Sequence, residues 1–175
     1  MGLIENGTRA QMRTGSKLAR MKQKAAHLPI YVPAASAIAR ESAFQGTILV
    51  ERLPRLVESL TSPDGTLDVE LQLGSEMARP PFLRGHVRGN LRLQCQRCLE
   101  DFSWPLDAKV DLRLVENEAD ESRWLQDYEP YLLEDDRLPL HAIVEDEVLL
   151  ALPLSPRCPT CERAEPLSID AAGTA

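Results

Sequence analysis

The sequence predicts an α+β fold: an antiparallel β-meander with a Cys-x-x-Cys hairpin turn, packed against a few short helices and closed by a four-cysteine zinc clasp. Three observations carry that prediction. Between Leu67 and Leu114, apolar residues return at every second position in three successive runs. Between Leu140 and Leu152 they return at spacings of three and four. The four cysteines of the chain form two pairs of identical spacing, Cys95/Cys98 and Cys158/Cys161.

A chain of 175 residues with 43% hydrophobic composition is one ordinary domain with enough apolar material for its own core. No run approaches the roughly 20 apolar residues that span a bilayer, and the amino end lacks the apolar core of a secretory signal. The expected location is therefore the cytoplasm, where paired thiols are more often metal ligands than structural disulfides. The net charge of −7 is unevenly spread. Residues 1–30 hold six basic side chains against Glu5, a net of +5, whereas residues 31–175 hold 14 basic and 26 acidic side chains, a net of −12. An acidic body argues against a broad phosphate-gripping face and leaves room for a local one.

Taken in order, residues 1–26 show neither period and read as a disordered basic extension, either an RNA-touching arm or a remnant preceding a true start at Met21. Residues 27–163 form the single domain, and residues 164–175 a flexible tail with little to bury. Pro33 opens a helix-compatible stretch from Ala34 to Phe44 that Gly46 ends. Thr47 to Val50 reads as a short strand, and Pro54 starts a short helix whose Leu53, Leu56, Val57 and Leu60 supply core. In the turn from Thr61 to Gly65, proline presets φ and glycine accepts a positive φ. The meander follows, with the first cysteine pair between its second and third strands. Residues 116–139, acidic and interrupted by Pro130 and Pro139, read as an ordered surface loop that pins Trp124, Tyr128 and Tyr131 to the sheet. Leu140 to Leu152 is an amphipathic helix with Glu147 on its apolar stripe and Glu145 and Asp146 facing out; Pro153 ends it.

Two thiols two residues apart turn inward on one knuckle, and two knuckles supply the four sulfurs of a tetrahedral zinc site: Cys95, Cys98, Cys158 and Cys161. Four sulfurs leave no open position for an activated water, so such a zinc is structural. Reduced thiols or a reversible disulfide are the alternatives, and the latter defines a thiol-oxidoreductase reading in which Cys95 and Cys98 cycle. Other catalytic patterns are absent: there is no glycine-rich phosphate loop, no Gly-x-Ser-x-Gly and no His-Glu-x-x-His, and His27, His86 and His141 are scattered. Consecutive Glu145, Asp146 and Glu147 splay by about 100° each on a helix and cannot converge on one ion. Neither an enzyme nor a small-molecule substrate is expected.

Two surfaces are candidates for a partner. Arg84, His86, Arg88, Asn90, Arg92 and Gln94 share one face of the second strand, and Arg97 stands on the knuckle beyond them. Their neighbours on the next strand include Asp107, Lys109, Asp111 and Arg113, so ordinary cross-strand ion pairs can absorb much of that charge. Glu145 and Asp146 offer an acidic helix face instead.

Leu93–Cys98, Tyr128-Glu129-Pro130 and, above all, Ile143–Pro153 closely resemble the YceD family of large ribosomal RNA subunit accumulation proteins. The likeness spans roughly residues 28 to 161, leaving the basic arm outside it. It implies a bacterial cytosolic, non-enzymatic factor that promotes synthesis, processing or stability of large-subunit (23S) ribosomal RNA. On that footing Arg84, Arg88, Arg92 and Arg97 are expected to meet RNA, and Glu145 and Asp146 a basic ribosomal protein or an RNA-processing enzyme. The competing class is an acidic adaptor that recruits such a protein without touching RNA.

Overall fold

A computed structural model of the chain describes residues 27–133 and 135–163. The expected basic extension over 1–26 and tail over 164–175 lie outside the described residues.

Five strands form the main sheet in the order β2 (Ala43–Leu49), β3 (Thr66–Gly74), β4 (Phe82–Gln94), β5 (Asp101–Val115), β6 (Glu129–Leu132). β2 to β5 are antiparallel neighbours, while β6 runs parallel to β5, with Leu112 beside Glu129 and Val115 beside Leu132. The alternation seen in the sequence sets which face is core. Leu67, Val69, Leu71 and Leu73 of β3, Leu83, Val87, Leu91 and Leu93 of β4, and Leu106, Ala108, Val110 and Leu112 of β5 are all buried. Gly85 is required by closeness: a Cβ there would stand 1.9 Å from the Glu70 carbonyl oxygen, so any side chain would push β3 and β4 apart. Gly65, at φ 137°, takes the positive φ expected of it in the turn before β3.

α4 (Leu140–Ala151) covers the inner face, burying Leu140, Ile143, Val144 and Val148 against the sheet. Its start is pinned by a two-stranded ribbon, in which β1 (Tyr31–Pro33) pairs antiparallel with β7 (Arg137–Pro139). α1 (Ala34–Ala39) and α2 (Pro54–Val57) close the ends of the core. At the far end of β5 the four residues Leu112 to Val115 are all buried, because the segment after β5 folds back over the outer face there.

Two local expectations need correction, and one ribbon was not foreseen. The first helix stops at Ala39, and Ala43 and Phe44 already belong to β2; Arg40 leaves the helical region and Glu41 takes φ 48°. The ribbon strands β1 and β7 are too short to show a period. The acidic stretch 116–139 is more structured than a loop: Asn117 caps α3 (Glu118–Trp124) by accepting from the Asp120 N–H at 2.9 Å, and β6 and β7 follow.

Candidate metal centre and the surfaces beside it

Gln94 and Asp101 form the last pair between β4 and β5, so residues 95–100 reverse the chain. The Cys95 N–H donates to the Glu100 carbonyl at 2.9 Å and the Leu99 N–H to the Cys95 carbonyl at 2.9 Å, which turns both Cys95 and Cys98 to one side. Leu99 completes the turn at φ 62°, in the left-handed region, with its side chain exposed. The second pair follows α4. Leu152 goes extended at ψ 138°, and α5 (Pro159–Glu162) is a single turn in which the Glu162 N–H donates to the Cys158 carbonyl at 2.9 Å. The two knuckles meet directly: the Gln96 N–H donates to the Pro156 carbonyl at 2.8 Å, and Arg97 Nη1 to the Cys161 carbonyl at 3.2 Å.

The four sulfurs consequently lie within 4.8 Å of one another, with Cys98 Sγ 3.8 Å from Cys158 Sγ. Metal–sulfur arms of about 2.3 Å in a tetrahedron give edges of about 3.8 Å, so this cluster has the size of a four-thiolate site. Its electrostatics are divided. Backbone N–H groups of Cys158 and Cys98 donate to the Cys95 sulfur and lower its thiol to about 6, against the opposing effect of desolvation. The Cys158 sulfur and desolvation push Cys161 up to about 12. Cys98 is raised as well: the Glu100 N–H acts to lower it, but the Cys95 sulfur and desolvation outweigh that donor.

The strand-face arginines are mostly engaged. Arg84 donates to Asp111 at 2.7 Å and to Glu76 at 2.7 Å; its guanidinium is raised and Asp111 is lowered despite desolvation. Arg88 stands 3.4 Å from Asp107 and 3.9 Å from Glu70, and His86 lies 3.2 Å from Asp107. These are the cross-strand pairs that alternation allowed. Arg92, opposite Ser103 and exposed, makes no ion pair among the described residues.

The acidic helix face is corrected by the structure at Glu145, while Asp146 stays half exposed. Glu145 is 5% exposed and faces inward. Its Oε1 accepts from the backbone N–H groups of Arg55 at 2.8 Å and Leu56 at 3.1 Å, while its Oε2 accepts from the Arg55 side chain at 3.1 Å. Pro54 has no N–H, so these are the first free amides of α2, and Glu145 caps a helix 90 residues away in sequence. Asp146 pairs with the other side of Arg55 at 2.7 Å. Glu147 does sit toward the sheet, where burial, then the Glu129 and Asp146 charges, raises its carboxyl to about 7.

One cluster escaped the sequence reading. Arg113 is 1% exposed, with Nη2 on Glu76 at 2.9 Å, Nη1 on the Pro80 carbonyl at 3.1 Å, and its guanidinium over the Tyr128 and Phe82 rings. Glu76 therefore meets Arg113, Arg84 and Arg79, which hold its carboxyl down at about 2. Alternation placed Arg113 on the outer face correctly; the signal for its burial was the neighbouring apolar pair Leu114-Val115 followed by the aromatic segment.

Among the described residues no helix is long and apolar enough to cross a membrane. Comparison with known proteins gives a match of residues 83–173 to the family model described as large ribosomal RNA subunit accumulation protein YceD. The chain is also 28% identical over 130 residues to the large ribosomal RNA subunit accumulation protein YceD of Haemophilus influenzae, covering 74% of this chain and 75% of that one. No solved structure matches it. The stretch matched by the family model contains all four cysteines, both knuckles and α4.

Proposed function

The chain belongs to the YceD family, and from that premise we propose that it acts in the cytoplasm as a non-enzymatic factor promoting the synthesis, processing or stability of large-subunit ribosomal RNA. The observation that supports this most is the family match across the knuckles and α4, reinforced by a relative whose name states the accumulation of that RNA. The metal in this reading is zinc. Four soft sulfurs within 4.8 Å of one another suit it, and it would be structural because no ligand position is left for water or substrate. Its role is to join the β4–β5 turn to the segment that follows α4.

Loss of the protein from cells is expected to lower the ratio of large- to small-subunit ribosomal RNA. A gene encoding Cys95→Ser should restore that ratio less well than the parent gene. An unchanged ratio in cells lacking the protein would sink the reading. Metal analysis of the purified parent is expected to find zinc, and the Cys95→Ser protein should hold less.

The adaptor reading keeps one supporting observation, the acidic surplus of residues 31–175. Of its two carboxylates, Glu145 is buried against α2, while Asp146 stays half exposed beside Arg55.

A further inference from the structure

Arg97 lies inside the first cysteine pair, Arg157 immediately precedes the second, and Arg163 follows it by two residues. Because the four sulfurs lie within 4.8 Å of one another, chain geometry confines these three Cα atoms to a region about 20 Å across. All three side chains are exposed, as is Arg92 at the end of β4. Arg97 bridges to the second knuckle through the Cys161 carbonyl, and Arg163 Nε donates to the Pro159 carbonyl at 3.0 Å. Arg92 and Arg157 have no ion pair among the described residues. Among the described residues, the acids beside the knuckles in sequence are Glu100, Asp101 and Glu162. By contrast Arg84 and Arg88 on the strand are held by Glu76, Asp111, Asp107 and Glu70.

The second knuckle has almost nothing of its own to keep it there. No residue from 153 to 163 is buried. Among the described residues, the sulfur cluster and the hydrogen bonds from Gln96 and Arg97 tie the segment to the first knuckle. Opening the cluster would release Arg157 and Arg163 from Arg97 and Arg92 without removing an arginine.

We propose that Arg92, Arg97, Arg157 and Arg163 form the contact of this chain with RNA phosphates, and that closing the four-cysteine clasp around its metal assembles that contact. The inference rests on the ribosomal-RNA reading above and deepens it. Guanidinium groups suit phosphate because their planar donors meet two oxygens at once. Three of them on the joined knuckles and Arg92 on the adjoining end of β4 gather guanidinium donors at one end of an otherwise acidic body, which limits binding to RNA that reaches this end of the molecule.

The test uses the full-length, zinc-loaded chain with two probes, a large-subunit ribosomal RNA transcript and polyuridylate, and follows the binding constant across a salt series. Each phosphate neutralised on a single strand contributes about 0.7 to the slope of log K against log salt. The double variant Arg92→Gln/Arg157→Gln is expected to flatten that slope by about 1.4. The Arg84→Gln/Arg88→Gln pair is expected to leave it unchanged. Neither double variant touches a sulfur, and both should keep parental zinc content. Removing the metal from the parent is expected to flatten the slope at least as much, and removing it from the Arg92/Arg157 variant should add less than it does in the parent. A parental slope in the Arg92/Arg157 variant, or binding indifferent to metal removal, overturns the inference. A parent that fails to bind either RNA even at low salt overturns it too and assigns the surface to a protein, while the cellular RNA ratio separately judges the accumulation role.

Discussion

Leu99 is the residue whose backbone most plainly serves the clasp. A non-glycine residue in the left-handed region carries about 1–2 kcal/mol of strain, and here the φ of 62° is imposed by the turn that points Cys95 and Cys98 the same way. The Leu99 side chain is 66% exposed, so little packing repays the strain. Leu99→Gly is expected to stabilise the metal-loaded protein by about 0.5–1 kcal/mol, the relieved strain less the greater freedom of glycine in the unfolded chain. Denaturant midpoints of the two proteins check it, and a lower midpoint for the variant would show that the leucine side chain contributes contacts. At this scale the sequence was informative about cysteines and about the cross-strand partners Arg84–Asp111 and Arg88–Asp107, because local spacing and strand alternation decide both. It placed Arg113 on the outer face but left its burial unread, because that burial depends on the 116–133 segment folding back over that face. A charge looks solvated until the element that covers it is known.

Among elements, α2 shows how a four-residue helix survives. Helices this short do not persist on propensity alone. Pro54 supplies the starting φ, and Glu145 of α4 accepts the first two amides while holding the Arg55 guanidinium. Glu145→Ala would leave two amide donors without an acceptor in a mostly buried place and is expected to lower stability by about 3 kcal/mol. Glu145→Gln keeps an acceptor oxygen but sets its own N–H₂ against Arg55, for a loss of about 1–2 kcal/mol. Asp146→Ala removes only a half-exposed ion pair and should change stability by no more than about 0.5 kcal/mol. Urea denaturation of the three variants would rank them, and equal losses for Glu145→Ala and Asp146→Ala would rule out the cap. The helical period had identified α4 and its buried Ile143, Val144 and Val148, and the period of two had identified β3, β4 and β5. Periodicity gave the wrong side for Glu145 because the carboxylate borders the apolar stripe, and its partner is another helix's N-terminus. The same long-range dependence hid β1, β6 and β7, which are short and defined only by what they pair with.

For the whole molecule, the two periods and the cysteine spacing foretold a sheet, a covering helix and a cluster of four cysteines able to hold a metal, and the cluster relates them. The sheet and α4 share a buried core that includes Leu83, Val87, Val110, Ile143 and Val148, and that core does not involve the second knuckle. Residues 153–163 contribute no buried side chain, so their order depends on the sulfur cluster far more than on the hydrophobic effect. Removing the metal is therefore expected to release one end of the protein while the body stays folded. In amide hydrogen exchange, the Gln96 N–H, bonded to the Pro156 carbonyl, and the Glu162 N–H, bonded to the Cys158 carbonyl, should lose protection on chelation. The amides of Val87 and Val110, in the centre of the sheet, should retain theirs. Near-complete loss of protection at Val87 would mean instead that the metal sustains the entire fold, as it does in domains too small to have a core. The buried leucines and valines of three long strands argue for the local outcome, in which the arginines of the two knuckles separate and the body carrying α4 remains intact.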